Sequence, residues 1–325
     1  VPAPEPFPKI ELHVHLEGTV RPETLRAIAK RNDYALPDDL ESLYAYRDFA
    51  HFIEVFVLML GALQRYDDFR EIVVEYAAEA KTHGAVYLEA IFAPQLLNRL
   101  DTDEVFSGYC DGAQEARELH GVEIRLAPDI PRDDYSLDEA LTTARYAVKY
   151  AGRGIVGLGL GGAEAGRPPE PFAPAFDLAR EGGLASVPHA GESAGAESVR
   201  GALEVLHADR IRHGIRAVED PGLVTELAGR GTVLDVCPVS NLRTGVVRSL
   251  EEHPLPQLVA AGVRCSISTD DPAMFDTDLT SDYEVAASLG VSPRAAYEAG
   301  VAGALCDDAT RDRLRQIGGT HDWDR

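Results

Sequence analysis

Val86-Tyr-Leu-Glu-Ala-Ile-Phe92, followed after a few turn residues by the amphipathic run 102–119, is one unit of a pattern that decides the fold. A short apolar run bounded by turn residues reads as a buried strand, and apolar residues three and four apart over a longer run read as a helix. The pair recurs along the chain. Further strand candidates lie at 123–127, 155–160, 184–187, 210–212, 232–236 and 264–268. Helix candidates fall at 136–150, 172–181, 196–206, 219–229 and 255–261. The last is short, and Pro254 and Pro256 suit only the start of a helix. A strand at 10–13 brings the total to eight. Eight strand–helix units in one chain predict an α/β fold of the closed (β/α)8 TIM-barrel type. The doubly wound sheet is the competing architecture, but it favours about six strands and a Gly-rich first turn, and no such turn follows 10–13.

Working outward, about seventy residues separate the first strand from Val86, too many for one crossover helix. Within that excursion, about 22–85, residues 22–31, 48–63 and 67–82 have helical spacing. One of these segments should cross the top of the barrel. Phe49, Phe52, Phe56 and Leu60 recur along one face, which suits core packing or an apolar wall above an active site. Residues 279–316 should add C-terminal helices. No linker or low-complexity segment divides the chain, so 1–325 reads as one barrel domain. The Gly-rich segment 152–166 holds a strand and a loop, and it lacks the Gly-Lys-Ser/Thr of a phosphate loop.

Lys plus Arg number 31 against 54 Asp plus Glu, a formal net charge of −23. That balance opposes binding to nucleic acid or anionic lipid and leaves a small molecule as the expected partner. The sequence does not fix an oligomeric state. Cys110, Cys237, Cys265 and Cys306 are scattered, without Cys-x-x-Cys spacing, and read as small buried hydrophobes. Residues 1–9 are Pro-rich and lack the apolar core of a signal peptide. The most apolar stretch, 52–63, is interrupted by Glu54 and is too short to span a bilayer. A cytoplasmic protein is expected.

The polar residues concentrate where strands end. His13 and His15 close the first strand, two apart and therefore on one face. Lys9, Glu11 and Glu17 fit the same neighbourhood. His189 follows the fifth strand, His213 the sixth, and Asp270 and Asp271 the eighth. Barrel enzymes place catalytic groups at these C-terminal strand ends. Three histidines and a carboxylate suit a Zn²⁺ ion with room left for water, and zinc lowers the pKa of water to about 7. Glu192, three residues past His189, could donate a proton. An unliganded His213 could act as general base and then steady a developing oxyanion, and Asp271 could orient substrate or accept a proton. This is machinery for hydrolysis at a polarised carbon.

Lys9-Ile-Glu-Leu-His-Val-His-Leu-Glu-Gly18, His189-Ala-Gly-Glu192, Arg212-His-Gly214, Cys237-Pro-Val-Ser-Asn241 and Ser268-Thr-Asp-Asp-Pro272 resemble segments of the adenosine deaminase family of zinc aminohydrolases, in the family's order from about residue 8 to 315. The resemblance implies a metal-dependent hydrolase barrel with one Zn²⁺ per subunit, held by His13, His15, His189 and Asp270. It implies Glu192 as the acid that protonates purine N1, His213 as the group that activates water, Asp271 as the acceptor facing N7, and Gly162 as the backbone donor to N3. The partner implied is a 6-aminopurine nucleoside, converted with release of ammonia to the 6-oxopurine.

Glu17 stands where the adenosine-specific members carry Asp beside the ribose 5′-hydroxyl, and 92–95 lacks their Ser-Pro-His. The adenine-specific members share Glu17, but they carry Ser-Ser-Glu where this chain has Gly162-Ala-Glu164. The pattern leans to a third branch, acting on 6-amino-6-deoxyfutalosine in the futalosine route to menaquinone. Adenosine is the alternative and adenine the less favoured one. Arg99 or Arg132 could meet a carboxylate on a 5′ extension, although each reads first as a surface residue. A binuclear amidohydrolase is disfavoured because 155–160 contains no lysine to bridge two metals. A non-catalytic purine-binding barrel, the rival of another class, would have no use for Glu192.

Overall fold

The structure, a computed structural model, describes residues 6–40, 46–47, 49–97, 100–132 and 136–323. Nine strand segments pair in parallel: β1 Lys9–His15, β2 Ala85–Phe92, β3 Glu123–Pro131, β4 Gly157–Gly161, β5 Ala185–Ser186, β6 His189–Ala190, β7 Arg210–His213, β8 Val233–Val236 and β9 Arg264–Ile267. β1 to β5 form one run and β6 to β9 another. β5 and β6 are two halves of a single barrel strand, interrupted at Val187-Pro188. Backbone bonds continue across the break, from Val187 N–H to Leu158 O at 2.9 Å and from Arg212 N–H to Pro188 O at 3.0 Å. The ring closes between the last strand end and the first. His15 N–H donates to Asp270 O at 2.8 Å and Asp270 N–H to His13 O at 3.1 Å. The expected eight-stranded barrel is therefore present, with metal-candidate residues at its closing seam.

Helices alternate with the strands as the spacing predicts. The excursion after β1 holds α1 Pro22–Arg31, α2 Phe49–Leu60 and α3 Tyr66–Thr82, and α4 Thr102–His120 follows β2. Pro22 opens α1 where its missing N–H costs nothing. Asp101 caps α4 by accepting from Asp103 N–H at 2.8 Å. α5 Leu137–Lys149, α6 Ala173–Glu181, α7 Ala196–Glu204 and α8 Pro221–Arg230 cover the later strands. A short α9, Pro238–Arg243, was not expected; it follows β8 and brings Ser240 to Asp270. α10 Leu255–Ala260 and α11 Pro272–Phe275 flank β9, and α12 Leu279–Ser288, α13 Pro293–Gly303 and α14 Asp308–Thr320 complete the chain. Among the described residues no helix is long and apolar enough to cross a membrane.

Below the mouth the barrel interior is charged rather than uniformly apolar. Arg210 is fully buried between Glu89 at 2.7 Å and Asp235 at 2.5 Å, and it also donates to Gly303 O and Leu12 O. A buried guanidinium is tolerable only with its donors satisfied in this way. Lys9 belongs to this lower end, not to the catalytic neighbourhood, because its ammonium bonds His83 O at 2.7 Å. Cys110, Cys237 and Cys265 are buried and Cys306 half-buried, all free thiols.

Asp282 of α12 accepts from Val239 N–H at 3.1 Å and Thr277 Oγ1 at 2.8 Å, tying the C-terminal helices to α9. Burial pushes its carboxyl up to about 8. A folded-state value above the unfolded one means that the native protein holds a proton the unfolded chain has lost. Stability from this group is full below about pH 4 and is lost as pH rises toward 8. Asp282→Asn keeps the shape without ionising: its amide oxygen accepts from Val239 N–H, and the Thr277 hydroxyl can rotate to accept from its NH2. Its melting temperature should match that of the parent near pH 4 and exceed it at pH 8, and equal pH slopes for both proteins would refute the assignment.

Candidate active site

His13, His15, His189 and Asp270 converge at the seam, with one donor atom from each within 4.8 Å of the others. His13 and His189 Nε2 lie 3.0 Å apart, and His15 and His189 Nε2 3.2 Å. Asp270 Oδ1 lies 3.1 Å from His13 Nε2 and 3.3 Å from His15 Nε2. Two ligands bound about 2.0–2.1 Å from one zinc at a tetrahedral angle stand roughly 3.3 Å apart, so the spacing fits a single ion.

The protonation chemistry fits as well. His189 Nδ1 faces only acceptors, Leu160 O at 3.0 Å and Asp129 Oδ2 at 3.3 Å, so it donates there and turns its Nε2 lone pair inward. Burial holds His13 and His189 below the usual imidazole range, which keeps them neutral. Burial alone would raise Asp270, but its histidine neighbours outweigh that and hold it ionised. Neutral imidazoles and one carboxylate are the forms a divalent metal binds. His15 runs the other way: burial would lower it, but the Asp271, Asp270 and Asp129 charges outweigh that and raise it to about 9, so a metal bound here displaces its proton.

Supporting contacts aim these ligands. Ser240 Oγ of α9 donates to Asp270 Oδ2 at 2.6 Å. Glu11 accepts from Thr269 N–H at 3.0 Å and Oγ1 at 2.6 Å, fixing the residue before Asp270. Asp129, beside His189, is paired with the buried Arg212, whose charge outweighs burial and holds it well below the carboxylate range. Cys237 Sγ lies 3.6 Å from His13 Nδ1. The backbone is strained at two of the site residues: His213 has φ 59° and Asp270 φ 69°. Non-glycine residues in this left-handed region concentrate at functional sites.

A cavity of about 280 Å³ opens above the cluster, lined by His15, His189, Glu192, His213, Asp270 and Asp271. Phe52, Ile53, Phe56 and Val57 of α2 wall it on one side with Leu96. The expected aromatic face is therefore both packed and lining: Phe52 stacks on Phe275 at 5.1 Å while facing the cavity. The side chain of Phe49 lies outside the described residues, and Leu60 is buried. Gly162 lines the floor with φ 87°, a conformation that favours glycine. Asp271 is buried with Oδ1 unpartnered, and a Cβ at Gly18 would fall 1.8 Å from that oxygen. Gly18 is thus required for Asp271 to reach its place. Burial, then the Asp270 and Glu17 charges, raise the Asp271 carboxyl well above its usual value.

Glu192 is buried, and burial with the Asp270 and Glu164 charges raises it well above the usual carboxylate range, the direction a proton donor needs. His213 Nε2 stands 3.7 Å from Glu192 Oε2 and 3.7 Å from Asp270 Oδ2. The loop that carries Glu192 is organised by Glu164, a residue to which the sequence reading gave no role. Its carboxylate accepts the N–H groups of Gly191 at 2.7 Å, Glu192 at 2.8 Å and Ser193 at 2.9 Å, and the Ser198 hydroxyl. Glu164→Gln would present an amide donor to those donors. It should lower kcat by about 10²-fold, the cost of a misplacement near 1 Å, with a smaller change in KM. Unchanged kcat in steady-state assays would remove that role.

Two expectations need revision. Arg132 is not at the surface: it is buried and donates to His189 O at 2.5 Å and Arg167 O at 2.8 Å, bracing the strand end rather than awaiting a ligand. Arg99 lies outside the described residues. Glu17 is close to the site but not on the cavity wall. It is buried, and its Oε1 accepts from Ala93 N–H at 3.0 Å and Tyr109 OH at 2.9 Å.

The adenosine deaminase family model matches residues 8–316. The chain belongs to the adenosine deaminase family. Similar proteins within that family include the aminodeoxyfutalosine deaminase of Acidothermus cellulolyticus, 49% identical over 98% of this chain and 93% of that one. The adenine deaminase of Rhizobium leguminosarum bv. trifolii is 39% identical over 94% of this chain and 97% of its own length. A crystal structure of an amidohydrolase from Burkholderia ambifaria with bound zinc superposes with a TM-score of 0.89 at 28% identity, covering 96% of this chain and 90% of that one. Family membership accounts for a (β/α)8 barrel whose mouth carries a cluster able to hold a metal, and it makes the chain a metal-binding aminohydrolase.

Proposed function

We propose that this deaminase removes the 6-amino group of 6-amino-6-deoxyfutalosine by hydrolysis, releasing ammonia, with one zinc ion held by His13, His15, His189 and Asp270. The observation that carries the chemistry is the buried Glu192 carboxyl, held above its usual range, beside a four-residue cluster able to bind a metal in one cavity. A zinc ion bound there supplies Lewis acidity and water activated near neutral pH. Glu192 donates its proton to the purine N1, which makes C6 more electrophilic. Asp271, whose raised carboxyl favours the protonated form, donates from its unpartnered oxygen to N7, and the backbone N–H of Gly162 meets N3. His213 presents Nε2 to the oxygen that enters at C6. The phenylalanines of α2 exclude bulk water from the reacting carbon.

The substrate reading rests on the 49% likeness to an aminodeoxyfutalosine deaminase against 39% to an adenine deaminase, and on the pattern at Glu17 and Gly162. The apolar mouth made by Ile53, Val57 and Leu96 suits a substituent extending beyond the purine. The purified protein should be assayed for ammonia release with aminodeoxyfutalosine, adenosine and adenine. Aminodeoxyfutalosine should give a kcat/KM at least about 100-fold above either rival, a discrimination of about 2.7 kcal/mol. Faster turnover of adenosine or adenine would sink the substrate assignment and leave the deaminase. Purine binding without ammonia release would sink both.

A further inference from the structure

The ring of His213 is oriented by a chain of three contacts that begins at a group whose role is never ambiguous. Leu255 opens α10, and its backbone N–H donates to His253 Nδ1 at 3.1 Å. A backbone amide is always a donor, so that nitrogen carries no proton. An imidazole with one acceptor nitrogen carries its proton on the other, here Nε2. His253 Nε2 lies 3.2 Å from Asn241 Oδ1, an acceptor. This fixes the Asn241 side chain, because the flipped amide would set its NH2 against the Nε2–H. Asn241 Nδ2, a donor, lies 3.2 Å from His213 Nδ1. His213 Nδ1 is then the acceptor, and the ring's proton sits on Nε2. Carboxyl oxygens of Glu192 and Asp270 lie 3.7 Å from that Nε2. His213, Asn241 and His253 are all buried, where two facing donors would cost about 1–3 kcal/mol.

We propose that Asn241 and His253 are positioning residues that lock His213 in its Nε2–H tautomer, so that His213 enters the reaction as a hydrogen-bond donor. This replaces the base role expected from the sequence. A ring already carrying hydrogen on the nitrogen that faces the cavity does not take the proton of the attacking water; that proton passes to the Glu192 carboxylate left when N1 is protonated, and the last one leaves with ammonia. It can orient the entering oxygen and stabilise charge that develops there. The tautomer holds whatever the substrate is; only the kinetic consequence rests on the deaminase reading.

The test is the ¹⁵N signature of the histidine rings in zinc-loaded protein labelled at its ten histidines, with His213 and His253 assigned by the signals lost in His213→Gln and His253→Gln. Both rings should show a protonated Nε2 and a bare Nδ1. A protonated Nδ1 on His213 overturns the proposal. Asn241→Asp puts an acceptor where Nδ2 donated and should move the His213 proton to Nδ1. A wrong tautomer is a large defect in catalysis, so kcat should fall by at least about 100-fold while KM stays within about threefold. A folded Asn241→Asp protein with the parental tautomer, or with parental kcat, also overturns it. Should that variant fail to fold, the spectrum of the unaltered protein decides alone.

Discussion

Glu192→Gln should lower kcat by about 10³-fold while KM changes only a few-fold, within the range typical of a lost general acid. Glutamine has the same shape and still donates a hydrogen bond, so the purine should still bind. It has no proton to transfer. The parent side chain is buried beside Asp270, Glu164 and Asp271, and that environment favours the protonated carboxyl. Steady-state ammonia release by the two proteins measures the difference. If kcat stayed within threefold, the proton for the purine would have to come from elsewhere, and Asp271 would be the next group to test.

Loss of the metal should be larger still. Dialysis against a chelator, or His189→Ala, is expected to reduce kcat by more than about 10⁴-fold, because water without a cation has a pKa of about 15.7. One equivalent of zinc per chain should restore the dialysed enzyme but not the variant. The same treatment should lower the melting temperature, since an ion that binds only the folded chain stabilises it by mass action. Full activity after complete removal of zinc, verified by elemental analysis, would dismiss the four-ligand assignment. Substitution of Asp129, which orients His189 through Nδ1, should act more mildly, about 10–100-fold in metal affinity.

The site residues legible in the sequence share one property: they sit at the C-terminal ends of apolar runs. His13, His15, His189 and His213 lie at strand ends and Asp270 just past one, and the barrel brings those ends together without any residue between them having to be known. The excursion helix over the mouth was readable from Phe52 and Phe56 for the same reason, as periodicity is local. What escaped notice acts at a distance. β3 runs on through Pro128 to Pro131, past the expected end at 127, and only that continuation carries Asp129 to His189. Glu164 bonds a loop some 27 residues further on, and no spacing rule links the two. Asn241 and His253 matter through the ring of His213, a contact that exists only once the barrel has closed. Glu17 shows the opposite limit: its position beside the histidines was legible, but not that Ala93 and Tyr109 would hold its carboxylate.

The left-handed backbone at His213 and Asp270 has a consequence for anyone seeking a hardier version of this enzyme. Such conformations cost of order 1–3 kcal/mol each, and glycine would relieve most of that cost. A library selected for heat resistance alone should therefore drift toward glycine at the two positions that can least be spared for turnover. Selection for surviving activity would have to run alongside, and the gains in heat tolerance should then accumulate in the outer helices, far from the seam.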